Sequence, residues 1–69
     1  MAATQRLTEL DELVSRRETH RDTMYRRWML ANTETERDLT WALYESAARS
    51  FNTAVRQLIY EVESRKEVE

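Results

Sequence analysis

The residues best suited to chemistry lie in the first half of the chain, where arginines and the single histidine gather between residues 15 and 31. Five arginines stand there against two acids, which gives the segment a local net charge of +3. If the segment is helical, Arg16, His20 and Arg27 fall on one stripe, because residues four, seven and eleven positions apart share a helix face. Such a stripe could bind anions, either carboxylates of another protein or phosphates of a nucleic acid.

Three interpretations of this stripe are open. The arginines could be a solvated face whose aliphatic stems shield apolar surface and whose charges pair with Glu18 and Asp22. They could form a protein-binding surface, because Arg, Tyr, Trp and Met are enriched at interface hot spots and Tyr25 and Trp28 are close by. Contact with a nucleic-acid backbone is less favoured, because a local charge of +3 neutralises few phosphates and the whole chain carries a net charge of -2.

Enzyme signatures are nearly absent from the sequence. The chain has no cysteine and no glycine, so it lacks thiol nucleophiles and glycine-rich phosphate loops. Arg17 lies three residues before His20, where a di-metal carboxylate site would need a glutamate. Asp11 and Glu12 are adjacent and diverge on a helix, so they do not form a general acid/base pair. We therefore expect no catalytic residues, no metal ion and no cofactor.

Length and composition favour a small protein that assembles. A chain of 69 residues without glycine, proline or cysteine buries only a modest core, so oligomerisation is the expected stabiliser.

No apolar run approaches the roughly 20 residues that span a bilayer, and the amino-terminal residues lack signal and transit features, so we expect a cytoplasmic protein. Lys66 is the only lysine against ten arginines, which suggests a GC-rich coding sequence of bacterial or phage origin.

Two long helices joined by a tight turn are predicted to carry the stripe. The boundaries are predicted at about residues 4–31 for helix one, 31–34 for the turn and 34–66 for helix two. Asn32 can end the first helix in the left-handed conformation, and Thr33 with Glu36 forms a capping box for the second. The predicted fold is therefore all-α, a two-helix antiparallel hairpin in one domain.

Helix two carries an unbroken heptad pattern. Its members alternate spacings of three and four: Trp41, Tyr44, Ala48, Phe51, Val55, Leu58 and Val62. The apolar residues of helix one also follow one heptad line, which we call its seam: Leu7, Leu10, Val14, Met24 and Trp28. Arg17 and Arg21 occupy two positions of this seam. Either the chain breaks near residues 15–23, giving three helices, or one helix carries a polar patch. We favour the continuous helix, because the apolar phase resumes at Met24 and the run contains no Gly, Pro or Asn.

Pairing across the hairpin suggests a second packing surface. Trp28 is expected near Leu39, and Arg17 and Arg21 near residues 47–51. Within one chain, the alanine-rich face of helix two would lie opposite arginines, where its small side chains would not serve close packing of helices. We therefore expect this face to pack against a second protomer. The simplest assembly is a two-fold homodimer of four helices. Its predicted interface contains Trp41, Tyr44, Ala47, Ala48, Phe51, Val55, Leu58 and Val62.

A small, arginine-rich and lysine-poor chain with this hairpin pattern from Leu7 to Val62 resembles the accessory proteins with which temperate phages disable host proteins. Within that group it is similar in size and build to phage anti-activators of the anti-quorum-sensing type. The resemblance rests on architecture and carries no residue roles with it. It implies a protein that binds a transcription regulator of the LuxR type and blocks its DNA binding.

The residues and the resemblance together favour a non-enzymatic hairpin homodimer that binds a host protein and inhibits or adapts it. The predicted partner-binding residues are Arg16, His20, Tyr25, Arg27 and Trp28. Two alternatives belong to other classes. One is a small DNA-binding or nucleoid-associated dimer that uses the same arginines on phosphates, and the other is a purely structural assembly module.

Overall fold

Two helices packed against each other make up the structure, a computed structural model that describes the backbone of residues 2–68 and the side chains of residues 5–65. Helix α1 spans Ala2–Met29 and helix α2 spans Glu34–Val68. The predicted all-helical hairpin is confirmed, and α1 runs without a break through residues 15–23, as expected for a run that contains no helix-breaking residue. Neither helix, over the backbone described, is long and apolar enough to cross a membrane.

The turn before α2 is held by a capping box. The backbone N–H of Glu36 donates to Oγ1 of Thr33 at 3.1 Å, as predicted. The reciprocal bond differs from that of a standard capping box, because the Glu36 carboxylate accepts a hydrogen bond of 3.2 Å from the backbone N–H of Asn32, one residue before Thr33. Two of the backbone donors at this helix start and turn are therefore satisfied by side chains.

The end of α1 differs from the prediction. The left-handed conformation expected at Asn32 is wrong, because no residue of the described backbone has a positive φ. The helix instead closes through a 3.0 Å bond from the N–H of Leu30 to the carbonyl of Arg26. A 3.2 Å bond from Ala31 N–H to the Trp28 carbonyl then tightens the last turn, which needs no left-handed residue.

The inner side of α1 follows the predicted phase. Leu10 and Met24 are buried. Half-buried residues fill the same heptad line at Leu7, Val14, Arg17, Arg21, Trp28 and Ala31. The two arginines therefore occupy seam positions of a continuous helix.

The inner side of α2 keeps one of the two predicted heptad lines and replaces the other with the line one residue before it. Its buried residues are Thr40, Ala47 and Ala54, each seven positions after the one before. Tyr44, Phe51 and Leu58 lie between them and are half-buried. Small side chains on this line let the two helices approach each other closely.

Ala47 belongs to the contact between the two helices of one chain. It is only 4 % exposed there, so little of its surface is left for a second protomer. Ala48, the next residue, is half-buried. The alanine-rich face is thus shared between the hairpin interior and the surface, because its two alanines point in directions about 100° apart.

Contacts along the hairpin define its register. Arg17 Nη1 donates to the carbonyl oxygen of Ser50 at 3.0 Å, and the guanidinium carbon of Arg21 lies 4.3 Å from the centre of the Phe51 ring. Both arginines therefore lie beside the predicted segment of α2. The ring centroid of Trp28 is 5.1 Å from that of Trp41, two residues beyond the Leu39 of the prediction.

The hairpin is a slender rod with a thin core. It measures 54 × 17 × 12 Å and has a radius of gyration of 15.9 Å. A compact domain of this length would have a radius of gyration of about 11 Å. Among the side chains described, no large one is completely buried. A single hairpin therefore leaves much apolar surface in contact with water.

Candidate protein-interaction surfaces

The polar run at residues 15–23 contributes two arginines to the hairpin itself. The hydrogen bond from Arg17 to the Ser50 carbonyl is partly buried. Arg21 covers the Phe51 ring and forms an ion pair with Asp22, in which Nη2 lies 3.1 Å from Oδ1. Arg17 and Arg21 thus connect α1 to α2 through these contacts. Their guanidinium groups already have partners within the chain.

The other basic residues of this region include the basic stripe, which we define as Arg16, His20 and Arg27. All three are exposed, and their spacing places them on one face of α1. No side chain that the structure describes forms an ion pair with Arg16 or Arg27. The solvated-face interpretation had proposed local pairing of the arginines with Glu18 and Asp22. The Arg21–Asp22 ion pair agrees with it, whereas the two arginines of the stripe form no such pair among the described side chains. The stripe can therefore pair with carboxylates from outside the chain.

Four aromatic rings form a cluster on the other side of α1. The aromatic cluster consists of Tyr25, Trp28, Trp41 and Tyr44. Its ring centroids are separated by 5.8 Å between Tyr25 and Trp28, 5.1 Å between Trp28 and Trp41, 5.3 Å between Trp41 and Tyr44, and 5.6 Å between Tyr44 and Tyr25. All four contacts are tilted, and their centroid separations lie in the range of about 4.5–7 Å that is typical of interacting aromatic pairs. Tyr25 and Trp41 stay 43 % and 41 % exposed, so the cluster has an open outer surface.

The structure divides the five predicted partner-binding residues between two sides of α1. Tyr25 and Trp28 belong to the aromatic cluster, and the other three form the basic stripe. At about 100° per residue, Tyr25 lies about 160° around the helix from Arg27. A flat partner surface cannot contact both, so the two groups are separate candidate sites.

A row of apolar residues follows the outer edge of the seam along α2. We call Trp41, Ala48, Val55 and Val62 the apolar face. They are one heptad apart; Trp41 and Val62 are exposed, and Ala48 and Val55 are half-buried. Ile59, on the same side, is also exposed. Of the other predicted dimer residues, Tyr44, Phe51 and Leu58 lie half-buried between this face and the core.

Sequence reasoning missed a second apolar patch at the turn end of the hairpin. Leu30 and Leu39 are 77 % and 61 % exposed. With Arg27, Ala31, Glu36 and Thr40 they line a depression of about 330 Å³, which we call the leucine depression. The positions of the two leucines in the sequence could have indicated this patch. Both lie outside the heptad lines and beside a capped turn, where the residues of a solvated loop are ordinarily polar.

Neither a metal centre nor a known relative assigns a function. Among the described residues, no three His, Asp or Glu side chains lie close enough together to hold a metal ion. Comparison of the chain with protein-family models, with curated proteins and with solved structures finds no match. The basic stripe, the apolar face and the leucine depression are therefore the features from which function can be argued.

Proposed function

We propose that the chain is a non-enzymatic protein-binding module, a helical hairpin that forms a homodimer and binds another protein, which it inhibits or adapts. The apolar face carries this proposal, because α1 leaves Trp41 and Val62 exposed at the two ends of the row and covers Ala48 and Val55 between them only in part. Contiguous apolar surface of this kind on a small protein is typical of a protein contact.

The exposed area of the single hairpin supports a homodimer. The chain exposes 5672 Å². A folded monomer of 8.3 kDa exposes roughly 4,600 Å², which leaves an excess of about 1,100 Å². A standard protein interface removes about 800 Å² from each partner. Two apolar faces related by a two-fold axis would cover an area of this size and form a four-helix bundle.

The proposed dimer assigns different roles to the two sides of α1. The apolar face and the aromatic cluster lie inside, so Tyr25 and Trp28 move from the predicted partner-binding group to the dimer interface. The basic stripe stays outside, because Arg27 lies about 160° from Tyr25 around the helix. The arginines of the stripe would bind carboxylates of the partner in bidentate geometry. Because the helical surface is rigid, it would lose little conformational entropy when the partner docks.

The resemblance to phage anti-activators suggests which target to test first. We propose a DNA-binding transcription regulator in the cytoplasm of a host bacterium. The support for this target is architectural, a small helical hairpin with a thin core and an uncovered apolar face.

The test is a capture experiment with tagged protein in nuclease-treated bacterial lysate. The Arg16→Glu/Arg27→Glu variant should lose the captured protein, because carboxylates replace both arginines of the basic stripe. The matched control is Arg49→Glu/Arg56→Glu, which makes the same change of charge at two exposed positions of α2. Light scattering on each variant should give the mass of a homodimer.

Three outcomes would contradict the proposal. Capture that survives in the Arg16/Arg27 variant would remove the basic stripe as the contact. Capture of nucleic acid alone, appearing only when nuclease is omitted, would favour the DNA-binding alternative, and its affinity should then fall steeply with salt. A dimer that captures nothing in either condition would favour the structural assembly module.

A further inference from the structure

The side of the hairpin that carries the basic stripe also carries three uncovered leucines. Leu30 and Leu39 line the leucine depression together with Arg27. Leu43 follows Leu39 by one helical turn and is 39 % exposed. Because α1 and α2 run side by side here, these residues border the groove between two helices. A third helix can fill such a groove, as neighbouring helices do in bundles.

Basic residues continue from the depression along α1. From Arg27 the stripe passes through His20 to Arg16 and spans about 16 Å at 1.5 Å per residue. Glu18 and Asp22 each lie two residues from His20, which places them about 160° away around the helix. Beyond Arg16 the same side of α1 carries Glu12 and Glu9, four and seven residues earlier, and in the part of the chain described neither carboxylate forms an ion pair with Arg16. Between Arg16 and Arg27 this side has no acid of α1.

Acids elsewhere do not neutralise this side. After Leu43, the same line of α2 continues through Ser46 and Ser50, which carry no charge. Glu36 is the one carboxylate that lines the depression, and it accepts a hydrogen bond from the Asn32 backbone N–H. The groove thus has an apolar end at the turn and a cationic end toward the middle of α1.

From this juxtaposition we infer that the groove binds an acidic amphipathic helix of the partner protein, with aliphatic side chains at one end and carboxylates along the next three turns. The inference rests on the proposed protein-binding function and names the chemistry of the partner. Aliphatic side chains fill the leucine depression, and carboxylates pair with Arg27 and Arg16. A phosphodiester backbone would match the arginines but would leave the leucines exposed to water, so a helix fits the whole groove better.

The test uses defined synthetic peptides and the full chain. Each peptide is an alanine-based helix with two leucines one turn apart near one end and glutamates three or four residues apart on the same face. Two versions place the leucines at the amino or the carboxyl end, because the groove can accept a helix in either direction. Binding is followed by the methyl resonances of labelled leucine and valine. One version should shift Leu30, Leu39 and Leu43 and leave Val55 and Val62 unchanged.

Matched variants separate charge from apolar contact. Arg27→Glu should weaken peptide binding by about tenfold or more, and Leu39→Ser by a similar factor, since each removes one half of the recognition. Arg49→Glu, an exposed change on α2, should leave the affinity unaltered. A peptide with glutamines in place of its glutamates should bind more weakly, and added salt should reduce that difference.

Four results would overturn the inference. Equal binding of the glutamine peptide would show nonspecific apolar adhesion. Shifts confined to Val55 and Val62 would place the peptide on the apolar face. Stronger shifts of the same leucines with duplex DNA would make the groove a nucleic-acid surface. If no peptide shifts Leu30 or Leu39 although the lysate experiment captures a protein that depends on Arg16 and Arg27, this inference fails and the proposed function stands.

Discussion

Arg17 and Arg21 occupy heptad positions that aliphatic residues fill elsewhere along α1. Their aliphatic stems can cover the seam while their charged groups reach its edge. There, Arg17 binds a backbone carbonyl of α2 and Arg21 lies over Phe51. The helix therefore continues through the polar run, because these side chains replace apolar contacts with a hydrogen bond and a cation–π contact.

Completing the seam with aliphatic residues should stabilise the protein. We expect Arg17→Leu/Arg21→Leu to raise the free energy of unfolding by about 1 kcal/mol or more, because it removes two partly desolvated charges and adds apolar contact. The Ser50 carbonyl stays satisfied, since a carbonyl inside a helix also accepts the N–H four residues later. Urea denaturation measures the change.

The control for this comparison is Arg16→Leu/Arg27→Leu, which makes the same replacement at exposed positions. Its effect should stay within about 0.5 kcal/mol. A loss of stability in the Arg17/Arg21 variant would mean that the two observed arginine contacts contribute more than their burial costs.

At the scale of elements, α2 carries two heptad lines side by side. Sequence reasoning favoured the more apolar line, Trp41, Ala48, Val55 and Val62, whereas the structure turns Thr40, Ala47 and Ala54 inward. Small residues allow close approach to α1, and the Thr40 hydroxyl avoids an unpaired burial by donating to the Glu36 carbonyl at 2.6 Å. The hydrophobicity of the residues alone could not decide which line of α2 faces α1, because that orientation also depends on how closely the two helices approach each other.

Other features could be predicted because their chemistry is local. The capping box needs only Thr33 and Glu36 at the right spacing, and the phase of α1 is repeated on both sides of the polar run. The basic stripe also followed from spacing within one helix. The leucine depression did not, because it forms only where Leu30 and Leu39 from different helices meet.

The capping box makes a prediction for the turn. Thr33→Ala should lower the free energy of unfolding by about 1 kcal/mol, because it removes the acceptor of the Glu36 backbone N–H. Thermal or urea denaturation followed by circular dichroism measures this. Thr35→Ala, an exposed change in the first turn of α2, should have less than half that effect. Equal effects at both positions would show that the Thr33 bond does not stabilise the turn.

At the scale of the whole molecule, the hairpin has two chemically different sides. The apolar face and the aromatic cluster lie on one, and the basic stripe and the leucine depression lie on the other. A second protomer on the first side would leave the second side free for a partner, because Tyr25 and Arg27 point in nearly opposite directions. Assembly and partner binding can therefore occur together, and a dimer would present two partner sites.

A homodimer whose protomers are marginal alone should unfold at a midpoint temperature that depends on concentration. We expect the midpoint to rise over about a hundredfold range of protein concentration, because association stabilises the folded chain by mass action. Val55→Glu should lower the midpoint and remove the dependence, since it places a charge on the apolar face. Gln57→Glu, an exposed site that gains the same charge, should retain the dependence. A midpoint independent of concentration, with the mass of a single chain in solution, would refute the homodimer and leave the apolar face to the partner protein.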